Sequence, residues 1–127
     1  MATARRQRTL VPFTIANGAA LSNELAVADG QIIGIITPAA WTAGGLTMQA
    51  VVADAGGGGT VTYGEVLVDA ASAVWTITAI TAGAYYGFGP NSALAVAGLG
   101  RIKLRSGTSG TPVNQGAART GFLVVLL

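Results

Sequence analysis

The 127-residue chain contains neither cysteine nor histidine. Without thiols it has no disulfides, no thiolate metal sites and no thiol nucleophile, and without imidazole it has no triad with a histidine base. Charge is also scarce. Charged side chains make up 9% of the residues and hydrophobic ones 51%, whereas ordinary soluble domains carry about 25% charged residues. A surface this poor in charge is expected to be partly hidden against other chains. Long apolar runs are missing as well. The stretch Phe122 to Leu127 is strand length, well short of the roughly 18 residues of a membrane span, so no membrane partner is expected. The length fits one domain, large enough to bury about two-thirds of its unfolded surface.

The few charges are sorted by position. Five acids (Glu24, Asp29, Asp54, Glu65, Asp69) occupy the middle, and seven cations flank them: Arg5, Arg6 and Arg8 first, then Arg101, Lys103, Arg105 and Arg119. Unlike patches of this kind suit arm-to-neighbour or head-to-tail contacts, in which opposite charges meet and set the register. Residues 1–9 read as a basic arm that is ordered only when a partner holds it, and residues 10–127 as the folded domain. A secretory leader fits poorly, since Pro12 and Asn17 interrupt the apolar part that follows the arginines. An unprocessed start is therefore expected. The cations Arg101, Lys103 and Arg105 alternate with Ile102 and Leu104, which in a strand puts the three charges on one face and the two aliphatics on the core side. The expectation is an edge strand with a basic outer row. Arg5, Arg6, Arg8, Arg101, Lys103 and Arg105 are the candidate partner-binding residues.

From Leu10 onward the pattern is β. Short alternating or β-branched runs recur about every ten residues, separated by turn signals such as Asn17-Gly18 and Asp29-Gly30. Leu46 to Ala53 and Thr60 to Asp69 read as a hairpin with Gly56 to Gly59 at its tip, and Ala73 to Ile80 reads as one strand. Trp41 reads as a lid on the core. Ser92 to Gly98 has room for one helical turn but not for a helix of its own. Eight or nine strands without an amphipathic helix predict an all-β antiparallel β-sandwich, with a jelly roll as the expected arrangement and an extended N-terminal arm.

Chemistry finds no foothold in this pattern, so no catalytic, cofactor-binding or metal-binding residue is expected. Glu65 and Asp69 lie about 13 Å apart in a strand, too far for the two carboxylates of glycoside hydrolysis, and read as surface charges. The glycines at Gly56 to Gly59 are not followed by Gly-Lys-Ser/Thr or by a helix, which excludes a phosphate loop. The row Arg101/Lys103/Arg105 spaces its charges about 6.6 Å apart, near the phosphate repeat of a single strand. It lacks interleaved stacking aromatics, however, which disfavours nucleic acid and leaves a docking row for an acidic protein surface, with a plain solvated face as the alternative.

Two blocks carry a resemblance. Pro38, Trp41, Leu46, Thr47 and Gln49 form the first. Leu104-Arg105-Ser106-Gly107-Thr108, Pro112-Val113-Asn114-Gln115 and Arg119 with Leu123 form the second and more specific one. From Pro38 onward the chain resembles small virion structural proteins of tailed bacteriophages and prophages, although Gly56 to Gly59 departs from the Asp-Gly-Gly type of turn associated with them. The resemblance implies a non-enzymatic capsid decoration or cement protein. Its partner would be the major capsid protein, its state a homo-oligomer (a trimer or another cyclic form), and its location the capsid surface of a virion after synthesis in the host cytoplasm. The alternative is a receptor- or glycan-binding module of a tail or head fibre or spike, for which Tyr85, Tyr86 and Phe88 are the candidate aromatics.

Overall fold

A computed structural model describes residues 8–28, 30–54, 56, 59–68 and 73–127, and more than half of these are strand. In chain order they form β1 (Arg8–Ile15), β2 (Leu25–Ala28), β3 (Gln31–Ile36), β4 (Gly44–Asp54), β5 (Val61–Glu65), β6 (Leu67–Val68), β7 (Ala73–Val74), β8 (Ile77–Ile80), β9 (Tyr85–Gly87), the short helix α1 (Pro90–Ala95), β10 (Gly100–Ser106) and β11 (Arg119–Leu126). All named strand pairs are antiparallel. The strands make a four-stranded sheet A in the order β1-β11-β3-β9, a five-stranded sheet B in the order β2-β10-β4-β5 with β8 also on β4, and a separate β6-β7 pair. No helix among the described residues is long and apolar enough to cross a membrane.

One cluster of buried side chains joins the two large sheets. Phe13, Ile15, Ile32, Ile35, Leu123 and Val125 enter it from sheet A, and Leu25, Leu46, Met48, Ile102 and Leu104 from sheet B. Trp41 belongs to it and meets Phe13 edge-on at 6.0 Å, as its expected place in the core requires. The turn at Asn17-Gly18 is present, with Gly18 at φ +77°, a backbone conformation that costs glycine little. The hairpin expected from Leu46 onward is the β4-β5 pair. At its tip the Asp54 carboxylate accepts the Gly56 N–H; Gly57 and Gly58 lie outside the described residues.

Three expectations change. Thr60 to Asp69 is not one strand. It breaks at buried Val66, whose N–H donates to Met48 O at 3.1 Å and whose carbonyl accepts from Trp75 N–H at 2.8 Å; Asp69 lies outside the described residues. Ala73 to Ile80 splits for the same reason. Trp75 turns inward between β7 and β8, its indole N–H donates to Ser92 O at 2.9 Å, and its ring meets Phe88 edge-on. Burying a large aromatic with its one polar atom satisfied outweighs two residues of regular alternation. Third, β10 is not an edge strand, because it lies between β2 and β4. The helical turn near Ser92 begins at Pro90, in the first turn, where its missing N–H costs nothing. β1 begins at Arg8, so Arg8 and Thr9 belong to a strand; residues 1–7, with Arg5 and Arg6, lie outside the described residues.

Candidate interaction surface

The alternation in β10 holds for its aliphatics, since Ile102 and Leu104 are fully buried in the core. Their neighbours Arg101, Lys103 and Arg105 therefore share the opposite face of sheet B. On that face the cations meet the middle-of-chain acids. Arg101 reaches Glu24 at 3.5 Å and also bonds Asp54. Arg105 pairs with Glu65 and is only 8% exposed. Lys103 Nζ stands 4.5 Å from the centre of the Tyr63 ring, and the Tyr63 hydroxyl donates to Glu24. Register explains the grouping. Lys103 lies beside Gln49 and Gln49 beside Glu65, while β2 carries Ala26 next to Arg101.

The expected basic outer row is therefore internally matched. Two of its three cations face carboxylates from the ends of β5 and β4 and from Glu24 just before β2, and the third stacks on an aromatic. Among the described residues of this row and its partners, three cations stand beside three carboxylates. Glu65, read from the sequence as a surface charge, is half-buried, and its Oε2 is buried with no hydrogen-bond partner. Backbone spacing along one strand gave no sign of this, because the pairing runs across strands distant in sequence.

The Asp54 carboxyl is held below its ordinary value of 3.8, first by the Gly56 N–H and then by Arg101. Arg101 is pushed above its own ordinary value, chiefly by the Asp54 hydrogen bond. A depressed carboxyl stabilises the fold at pH above its ordinary value, and that contribution is lost as pH falls through the lowered one. Asp54→Asn is thus expected to lower the melting temperature slightly at neutral pH, and the gap from wild type should close as pH is taken below about 3.8. Thermal unfolding of both proteins at several pH values checks this. The effect is small because both partners are well exposed.

The aromatic trio separates. Tyr86 is half-buried with its hydroxyl bonded to the Thr81 hydroxyl and N–H, which lowers its pKa. Phe88 packs on Trp75. Tyr85 alone of the three is exposed, at 50%, with the Arg8 guanidinium 5.6 Å from its ring centre.

The block that starts with the last three residues of β10 continues from Gly107 to Gln115 as a loop. Gly107 sits at φ +87°, and a Cβ there would come within 2.5 Å of Thr111 O. Gln115 is 1% exposed. Its side-chain oxygen accepts from Thr42 N–H at 2.8 Å and from Arg119 Nε at 3.3 Å, and its amide donates to Ser106 Oγ and Thr42 O. That side chain ties the loop after β10 to the Trp41 segment and to the start of β11. Sequence inspection gave Gln115 no such role, because a glutamine in a polar loop ordinarily faces water.

Searches against protein-family models, curated proteins and solved structures found no match for the chain.

Proposed function

We propose that this protein is a non-enzymatic structural protein of a tailed-phage virion, decorating or cementing the capsid by binding assembled subunits of the major capsid protein. The two large sheets form, in this reading, the layers of a β-sandwich related to the jelly roll, and the protein works as a homo-oligomer on the capsid surface. The observation that carries the reading is the placement of scarce charge. A chain with 9% charged residues sets five of them against one another on sheet B and lays a sixth, Lys103, over Tyr63, while Leu10, Phe122, Leu94 and Leu127 stay exposed. Such a surface suits a protein that spends its working life against other chains. The resemblance of the Pro38 and Leu104 blocks to virion proteins points to the same class.

Docking of the capsid falls to Arg5, Arg6 and Arg8 and to Lys103, since Arg101 and Arg105 have carboxylate partners within the chain. The alternative of a glycan-binding module retains one exposed aromatic, Tyr85, from its three candidates. The test is co-sedimentation with capsids stripped of accessory proteins. Wild type is expected to co-sediment, and Arg5→Glu/Arg6→Glu to bind about tenfold more weakly, with a difference that shrinks as salt rises. Failure of the wild-type protein to bind at any salt concentration would overturn the capsid assignment.

A further inference from the structure

The chain has four asparagines, Asn17, Asn23, Asn91 and Asn114, and only Asn17 is followed by glycine. Asn17 and Gly18 are the central residues of the turn after β1, which the Ala19 N–H closes on Ala16 O at 3.0 Å. Both are exposed. A Cβ placed on Gly18 would meet nothing within 4 Å, so the space beside its nitrogen is open. Asn23, by contrast, is tied down: its side-chain oxygen accepts the Thr14 N–H and its amide donates to Glu24 O. Asn91 precedes Ser92 inside α1, and Asn114 precedes the buried Gln115. In both cases the side chain of the next residue screens its own main-chain nitrogen, which glycine, having no Cβ, does not do.

That difference matters for one reaction. When the Gly18 N–H gives its proton to hydroxide, the nitrogen can attack the side-chain amide carbon of Asn17. The new C–N bond closes a cyclic imide; the bond to the side-chain nitrogen breaks, and that nitrogen leaves as ammonia with a proton from water. Water then opens the imide at either carbonyl. One opening leaves aspartate, the other isoaspartate, whose main chain runs through the former side chain. One water is consumed and one ammonia released, and hydroxide is regenerated. We infer that Asn17 is the deamidation site of this protein, held latent in the folded chain by the main-chain carbonyl of Gln115.

The latch is a reciprocal pair. The Gly18 N–H donates to Gln115 O at 2.8 Å, and the Gln115 N–H donates to Ala19 O at 2.8 Å. A proton engaged with a carbonyl is lost slowly, and the ring closes only when this pair opens. Opening is resisted from several sides. The Gln115 side chain is 1% exposed and bonded to Thr42, Ser106 and Arg119, and the Ser106 N–H holds Ala20 O at 2.8 Å just beyond the turn. Exposure of the Gly18 nitrogen is therefore a local unfolding event, and the reaction is slowed by the equilibrium constant of that event. Its product is not neutral for the fold. A carboxylate replaces the amide, which lowers the formal net charge of +2 by one. Isoaspartate also inserts an extra main-chain carbon before Gly18 and moves the Gly18 N–H out of register with Gln115 O, so a converted chain loses part of the link between the turn and the loop before β11.

The inference is independent of the capsid assignment, which co-sedimentation decides separately. The purified full chain is incubated at mildly alkaline pH, folded and in concentrated urea, and sampled by ion exchange and peptide mass mapping. In urea, Asn17 is expected to convert before the other asparagines, to a mixture of aspartate and isoaspartate. In the folded chain its conversion should be at least about tenfold slower. Asn17→Ser should abolish the acidic product of that peptide. Folded Gln115→Ala should convert about fivefold faster than folded wild type, the factor that loss of one net hydrogen bond gives. Should that variant fail to fold, wild type in urea below its unfolding transition keeps the test: hydrogen exchange of the Gly18 amide and conversion of Asn17 should accelerate by the same factor. Another asparagine converting first in urea would overturn the site. Equal rates in the folded and unfolded chain, or a folded Gln115→Ala protein that converts at the wild-type rate, would overturn the latch.

Discussion

Leu104→Ala is expected to lower the unfolding free energy by about 2 to 5 kcal/mol, whereas Lys103→Glu, one residue away, should hardly move it. Leu104 is fully buried between Met48 across the ladder and the facing side chains of sheet A. Removing its isobutyl group forfeits transfer free energy and leaves a cavity that two hydrogen-bonded sheets close poorly. β10 has paired strands on both sides, so its backbone has little freedom to shift into the space. Lys103 lies half-exposed over Tyr63, and an interaction of that type at an exposed site is worth about 0.5 to 1 kcal/mol. Urea unfolding of the two variants gives the comparison. Equal losses would mean that the two faces of β10 are not differentiated as described.

A second large effect is expected at Arg105 and Glu65. Glu65→Gln should destabilise the protein by on the order of 3 kcal/mol, because it leaves a buried guanidinium without its counter-charge. Arg105 is 8% exposed and has Glu65 as its carboxylate partner among the described residues. Arg105→Met combined with Glu65→Leu should cost much less than either single change. An apolar pair of similar volume needs no desolvation of charge, and it also removes the buried Glu65 Oε2, which has no hydrogen-bond partner. A double-mutant cycle by chemical denaturation reads the coupling directly. Additive losses would show that the two side chains do not act as a pair, and the matched charge of sheet B's outer face would lose its firmest member.

These two sites show how far the sequence reaches. The 2-residue period is a local property of one chain segment, so the inward side of β10, with Ile102 and Leu104, was legible without any coordinates. The antiparallel all-β class, the turn at Gly18 and the β4-β5 hairpin were legible for the same reason, since each rests on neighbours in sequence or on a single residue's backbone preference. What the outer side of β10 faces is a different kind of information. Glu65 is 40 residues from Arg105, and Asp54 is 47 from Arg101. Only the strand order β2-β10-β4-β5 brings them together, and no pattern within β10 encodes which strands flank it. A segregation of charge that looked like a signal for an outside partner is in large part the chain pairing with itself.

The sequence by itself determined that this protein has no thiol or imidazole chemistry, folds as antiparallel β and buries one face of each long strand, because composition and alternation act residue by residue. Only the tertiary structure decided that Trp75 breaks two expected strands, that Gln115 clamps a loop and that the basic row is matched from within the chain. Each of these depends on contacts between segments far apart in the chain, where free energy is set by the geometry of packing and by the desolvation of paired charges, and neither is written in local order.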